Sequence, residues 1–201
     1  MWSSAEKGEN MDIAVKKISK SYGQEQVLKD FSCDFPEGKL TCIMGRSGGG
    51  KTTLIKLLMG LEKPTEGSIE GLFGKKLSAV FQEDRLCENL SAAANIRLVC
   101  RNHVSDEELK SAFQRVCLNE VWRKPVRELS GGMRRRVAIL RALFAEYDFL
   151  ILDEPLKGLD EETKQKTAVY ILEKTQGKTV LVVTHHEEEA KLLRAEKIVR
   201  M

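Results

Sequence analysis

The run Gly45-Arg46-Ser47-Gly48-Gly49-Gly50-Lys51-Thr52 sets its glycines, lysine and threonine at the spacing G-x-x-x-x-G-K-[ST]. Glycines let the backbone curl until successive N–H groups face inward at phosphate oxygens. Lys51 adds a point charge for the outer phosphates, and the Thr52 hydroxyl suits Mg²⁺. An apolar run, Leu40 to Met44, leads into the loop, and a helix-like run from Thr52 to Met59 leads out and stops at Gly60. The positive end of a helix dipole therefore faces the same loop. A flexible glycine turn would need none of that context. Phe149-Leu150-Ile151-Leu152-Asp153-Glu154 is the complement: an apolar strand delivering two carboxylates to the sheet edge where open α/β folds bind ligands. Asp153 is placed to hold the metal, and Glu154, one residue on, to polarise an attacking water. Alone this pair reads as structural; beside the cradle it supplies the two groups that nucleotide hydrolysis lacks.

Leu129-Ser130-Gly131-Gly132-Met133 precedes a second helical run, Arg134 to Phe144. Ser130 is a good N-cap, and two glycines leave the first N–H groups bare, so this is another anion site at a helix start. One nucleotide has little use for two such sites from opposite parts of one domain. The economical arrangement is a two-fold pair of chains, each site combining one cradle with the other chain's Ser-Gly-Gly.

These motifs, with Phe81-Gln82-Glu83, Gly158-Leu159-Asp160 and Thr184-His185, stand in the order found in ATP-binding cassette (ABC) ATPases. From about residue 12 the chain resembles that family over nearly its whole length. The resemblance implies a P-loop α/β core with a mostly parallel sheet, an N-terminal antiparallel β-subdomain and a helical insertion. It implies ATP and Mg²⁺ as cofactors, with Tyr22 stacking on adenine and Gly45 to Thr53 (Gly45, Arg46, Ser47, Gly48, Gly49, Gly50, Lys51, Thr52, Thr53) around the phosphates. Thr52, Gln82 and Asp153 match the metal-holding positions, Gln82 also the coupling to a transmembrane partner. Glu154 resembles the catalytic base and His185 the histidine at the γ-phosphate. Ser130, Gly131, Gly132 and Met133 match the signature that caps the opposite chain's ATP, and Asp160 the aspartate of the dimer-contact loop. Three departures stand out: Met133 where the family usually has Gln, Lys157-Gly158 before Leu159-Asp160, and His186 where an Asp commonly follows the histidine. The stretch between Lys51 and Gln82 is shorter than family norms. The ending Lys197-Ile198-Val199-Arg200-Met201 implies a minimal cassette without a C-terminal regulatory domain.

Hydrophobic period supplies the elements. Leu40–Met44, Phe149–Leu152 and Thr179–Val183 are uninterrupted apolar runs, as strands covered on both faces require, hence a parallel sheet. Helical stretches lie at about 160–175 and 186–195, so the layers are α/β. Residues 12–40 alternate instead, as in Phe31-Ser32-Cys33-Asp34-Phe35, with turns at Gly23 and Pro36-Glu37-Gly38, which predicts an antiparallel sheet. Residues 88–128 are amphipathic and helix-like, with Ser105 and Glu108 in a capping-box pattern. The division expected is a polar tail over 1–11 and one domain over 12–201, with a helical subdomain at about 88–145 inserted in the core.

The 201 residues are 42% apolar and 31% charged, which is globular composition. Lys plus Arg number 33 against 30 Asp plus Glu, so the balance argues for no polyanion partner. No apolar run approaches the ~20 residues of a membrane-spanning helix. Residues 1–10 lack the apolar core of a secretory signal. The 5 cysteines are odd in number and lack C-x-x-C spacing, which disfavours a disulfide framework or zinc site. Cys42, inside an apolar run, reads as a small buried hydrophobe. Arg123, Lys124, Arg127, Arg134, Arg135, Arg136 and Arg141 face only one acid, Glu128, and read as a solvated helix face with some packing, not a nucleic-acid stripe. His103 reads as a surface residue, and Trp2 and Trp122 as partly buried. The functional expectation is a transporter's nucleotide-binding subunit, peripheral at the cytoplasmic face of the membrane, pairing with itself and with separate permease subunits. Its Gln82 and Asp153–Asp160 stretches look most like importer ATPases of the nitrate, sulfonate and taurine type, which would add a solute-binding protein. The alternatives are a soluble clamp on nucleic acid or ribosomes, or an exporter cassette.

Overall fold

The computed structural model describes residues 12–46 and 48–201; the polar tail with Trp2, and Ser47 of the glycine loop, lie outside the described residues. The chain alternates from the start. Strands β1 (Ile13–Tyr22) and β2 (Glu25–Phe35) pair antiparallel around the Gly23 turn, as the alternating pattern predicts. A strand the sequence reading did not anticipate, β4 (Glu66–Glu70), completes that sheet in the order β2-β1-β4. Its residues are polar and partly exposed, and only pairing with Ala14 to Ser19 makes it a strand.

The second sheet is parallel throughout, in the order β5 (Leu77–Val80), β6 (Phe149–Asp153), β7 (Thr179–Thr184), β3 (Leu40–Met44), β8 (Lys197–Arg200). All residues of β3, β6 and β7 are buried, which is why their sequences run apolar without alternation. Alternate residues serve opposite faces. Phe149, Ile151, Leu181, Val183 and Ile43 join the antiparallel sheet and helix α1 (Lys51–Leu58) in one core. Leu150, Leu152, Val180, Val182 and Cys42 pack against the remaining helices in another. Phe35 meets Phe149 across the two sheets with ring centroids 5.6 Å apart. Each such fully buried side chain contributes about 1.5–3 kcal/mol. The closing residues Lys197–Arg200 form β8, a parallel partner of β3 that no apolar run marks in the sequence.

Between β5 and β6 the chain is helical but broken: α2 (Ala92–Arg97), α3 (Asp106–Arg115), a single 3₁₀ turn (Val126–Glu128) and α4 (Gly131–Phe144). Ser105 caps α3, accepting from the Glu108 N–H at 3.1 Å. Helix α4 starts at Gly131, three residues before the helical run expected from Arg134, because the Ser130 hydroxyl accepts from Met133 N–H and fixes the first turn. Helices α5 (Glu161–Lys174) and α6 (Glu187–Leu192) complete the layer. Among the described residues no helix is long and apolar enough to cross a membrane.

The basic cluster divides in two. Arg123, Lys124 and Arg127 are exposed, as expected of a solvated face, but on helix α4 Arg135 and Arg136 are buried, and Arg134 and Arg141 half-buried. Arg136 donates to the carbonyls of Val116 and Cys117, both at 2.9 Å, tying the end of α3 to α4. Helix α4 is buried on most of its circumference, so arginines within it must spend their donors on backbone carbonyls. His103 is exposed and Trp122 half-buried, with Arg123 and Lys110 over its ring.

Candidate active site

Parallel strands with both faces covered leave one place for polar chemistry, the C-terminal edge. Four neighbouring strands end there level with one another: Met44 pairs with Thr184, Asp153 with Val183, and Val80 with Leu152. The glycine loop follows β3, Asp153 and Glu154 close β6, His185 follows β7, and Gln82 follows β5. Residues scattered over 140 positions of sequence thus share one edge.

In the cradle, Gly48 and Gly50 hold φ of +82° and +83°, a region that side chains disfavour. Gly50 also has no room for a side chain, since a Cβ there would stand 2.6 Å from Leu28 Cδ2. The loop closes through Gly49 N–H to the Arg46 carbonyl at 3.1 Å. Helix α1 then begins with no side chain capping it, so the first N–H groups, of Lys51, Thr52 and Thr53, are left for an anion. Lys51 is buried, and its ammonium donates to the carbonyls of Gly45 at 2.8 Å and Arg46 at 2.7 Å. Two of its three protons brace the loop, and one remains. Thr52 is exposed at the helix start and Thr53 is buried beneath it.

Asp153 and Glu154 are neighbours with opposite environments. Burial pushes the Asp153 carboxyl up to about 6, helped by the adjacent Glu154 charge, against the pull of Arg135, Lys51 and Lys157. Burial also acts to raise Glu154, but Lys157 and His185 prevail and hold its carboxyl below the usual range. His185 Nδ1 lies 2.8 Å from Glu154 Oε1, a distance the Nδ1–H tautomer satisfies by donating. Lys157, one of the residues that depart from the family pattern, places its ammonium 2.6 Å from Glu154 Oε2. His186 stacks beside His185 at 3.8 Å between ring centroids, its N–H donating to the Thr184 hydroxyl. Thr184 in turn donates to the buried Glu189 carboxylate at 2.7 Å, anchoring the turn. Glu154 itself sits at φ +47°, with its N–H donating to Val183 carbonyl at 2.7 Å.

Tyr22 ends β1 and is 42% exposed, available as a stacking surface. Its hydroxyl donates to Glu62, which ion pairs with Lys20 at 3.3 Å and Lys56 at 3.4 Å, and Glu62 was not singled out by sequence. Gln82 is exposed in the loop after β5. The structure does not bring the signature to this cradle. Ser130 and Gly131 are exposed, with nothing within 4 Å of a Cβ built at Gly131, while a Cβ at Gly132 would meet Leu159 at 3.3 Å. The signature therefore packs beside the Gly158–Asp160 turn, where Asp160 caps α5 by accepting from Thr163 N–H at 3.0 Å. Met133 is half-buried at the same corner.

The ABC transporter family matches residues 28–157. The aliphatic sulfonates import ATP-binding protein SsuB 1 of Paracoccus denitrificans (strain Pd 1222) is 33% identical over 183 residues, covering 90% of this chain and 76% of its own. The taurine import ATP-binding protein TauB of Jannaschia sp. (strain CCS1) is 36% identical over 200 residues, covering 90% of this chain and 74% of its own. Among solved structures, the dimer of MJ0796, a bacterial ABC transporter cassette, superposes with a TM-score of 0.82 at 30% identity over 94% of each chain. The same cassette bound to ADP and Pi after hydrolysis gives a TM-score of 0.81 at 30% identity. With four of the six ordered motifs gathered on one sheet edge and the other two at neighbouring helix starts, and these likenesses over most of its length, the chain belongs to the ABC transporter family as one of its ATP-hydrolysing cassettes.

Proposed function

We propose that this cassette works as a two-fold pair beneath separate permease subunits, at the cytoplasmic face of the membrane, and powers import of a solute delivered by a solute-binding protein. The observation that carries this is the division of anion-binding groups: a cradle with carboxylates at one edge, and a bare Ser130–Gly131 helix start elsewhere with open space above Gly131. The importer direction is supported by the sulfonate and taurine import ATP-binding proteins among its relatives. Three arginines of the basic cluster, Arg135, Arg136 and Arg141, are spent on carbonyls of their own chain, which weakens the case for a nucleic-acid clamp.

The cradle N–H groups and Lys51 bind the β- and γ-phosphates, and Tyr22 supports the adenine. Asp153 fits a hard cation, because its buried carboxyl is undercompensated by the protein's own charges. Mg²⁺ held by Thr52, Gln82 and Asp153 would neutralise charge between the phosphates. Glu154 accepts a proton from the attacking water, and His185 keeps its carboxylate aimed. The partner's Ser130 hydroxyl and Gly131 N–H would cover the γ-phosphate, so the site is complete only in the pair.

Glu154→Gln should lower turnover at least ~100-fold with ATP binding retained and an ATP-dependent dimer accumulating in light scattering. Wild-type turnover in that variant would remove Glu154 as the base. Gly131→Ala adds a methyl that its own chain leaves room for and a helix start tolerates. It should melt no lower than the wild type and bind ATP normally as a monomer, yet lose dimerisation and most turnover; undiminished turnover would refute capping in trans. For Asp153, a native pKa of about 6 against an ordinary 3.8 means the group favours the fold below 3.8 and loses that contribution as pH rises through 6. Asp153→Asn, melted in chelator, should exceed the wild type by about 2 °C or more at pH 7.5, with the gap closing near pH 4; a gap that is constant with pH contradicts the assignment. Isolation of the native complex from membranes should recover a multi-helix permease, whereas recovery with ribosomes would replace the transport reading.

A further inference from the structure

Arg135 is 5% exposed and lies one turn into α4, the helix that the signature opens. One arm of its guanidinium donates to the Phe81 carbonyl and, at 3.2 Å, to the Asp84 carboxylate. The other donates to the carbonyls of Asp153 and, at 3.0 Å, of Glu154. A single planar fork thus joins three elements: the signature helix, the loop carrying Gln82, and the turn carrying Glu154. Further along α4, Arg141 donates to the carbonyls of Arg85 at 2.8 Å and Asp84 at 3.1 Å, gripping the same loop again. The bridged turn is the one that needs support, since Glu154 holds a left-handed backbone, φ +47°, that a non-glycine residue adopts only when its surroundings impose it.

We infer that Arg135 is a positioning residue for hydrolysis, locking the Asp153–Glu154 turn and the Gln82 loop to the helix that begins at Ser130. The inference rests on the ATPase reading above and deepens it. Arg135 touches backbone and one carboxylate, not the cradle, so it governs how Glu154 is aimed and leaves phosphate binding alone. It also makes a displacement of the Gln82 loop costly unless the catalytic turn moves with it, because both share one buried cation. Lysine keeps the charge but has no fork, so it cannot span both sets of acceptors.

The experiment measures kcat, KM and monomer affinity for a fluorescent ATP analogue in the full chain carrying Arg135→Lys, Asp84→Asn, or both. Arg135→Lys should lower kcat about tenfold or more with analogue affinity within about twofold of the wild type. Asp84→Asn should act in the same direction, and the double variant should lose less than the product of the two single losses, because both loosen one bridge. Wild-type kcat in folded Arg135→Lys, a matching loss of nucleotide affinity, or multiplicative losses would each overturn the inference. Should Arg135→Lys fail to fold, Asp84→Asn decides alone, as its side chain is partly exposed: reduced kcat at unchanged affinity supports the bridge, and unchanged kcat refutes it. A wild-type chain that hydrolyses no ATP would sink the ATPase reading and this inference with it; a hydrolysing wild type with indifferent variants sinks only the inference.

Discussion

Burial of the parallel sheet on both faces is the constraint from which the site follows. Every residue of β3, β6 and β7 is enclosed, so none can present a polar group sideways without a buried partner. The first positions free to be polar are those just past the strand ends. There the chain places a glycine loop, two carboxylates, a histidine and a glutamine. The antiparallel sheet and α1 cover one face and the remaining helices the other, and both layers are needed for the edge to exist as an edge. The helix after β3 adds its dipole at no extra cost, since its own first N–H groups have no side-chain cap.

At that edge, adjacency and burial separate two like groups into two roles. Asp153 ends a buried strand and is driven toward the neutral form, which a hard cation would reverse. Glu154 lies beyond it, where His185 and Lys157 draw it toward the charged form. A charged carboxylate is what a general base requires, yet a lysine 2.6 Å away also lowers its basicity. Lys157 stands on the turn leading to Asp160, beside the signature helix. A contact that rearranges that turn would therefore also change the charge around Glu154, through a single side chain.

What sequence reveals depends on whether the deciding physics is local. The runs at Leu40–Met44, Phe149–Asp153 and Thr179–Thr184 are legible because full burial writes itself as continuous apolar sequence. The glycine loop is legible because its backbone needs fixed residue types at fixed spacing. Ser105 and Ser130 are legible as caps because a cap is satisfied within three residues. Strand β4 is not, since Glu-Gly-Ser-Ile-Glu carries no strand pattern and owes its form to β1. Glu62 is not, because its bond to Tyr22 spans 40 residues. Nor are Arg135, Arg136 and Arg141: an arginine looks the same whether it meets water or a carbonyl from a distant loop. One clue was present. The segment Val137-Ala138-Ile139-Leu140-Arg141-Ala142-Leu143-Phe144 is apolar but for Arg141, which marks a largely buried helix and leaves its arginines little solvated side to occupy.

The two signature glycines show how an incomplete site can be recognised from one chain. Gly132 is accounted for inside the protomer, because a methyl there would press on Leu159. Gly131 is not, because a methyl there meets nothing. A helix start gains by alanine over glycine, so a glycine with open space above it costs stability that the folded chain does not recover. Ser130 closes only one of the exposed N–H groups, through Met133. Bare donors and an uncovered glycine surface at one helix tip fit an anion brought by another body. On the paired reading proposed above, the surface that would carry such an anion is the cradle of a second copy, which this chain encodes 80 residues earlier. Two-fold symmetry would satisfy both copies at once, with Gly132 packing the tip beside the Gly158–Asp160 turn in each.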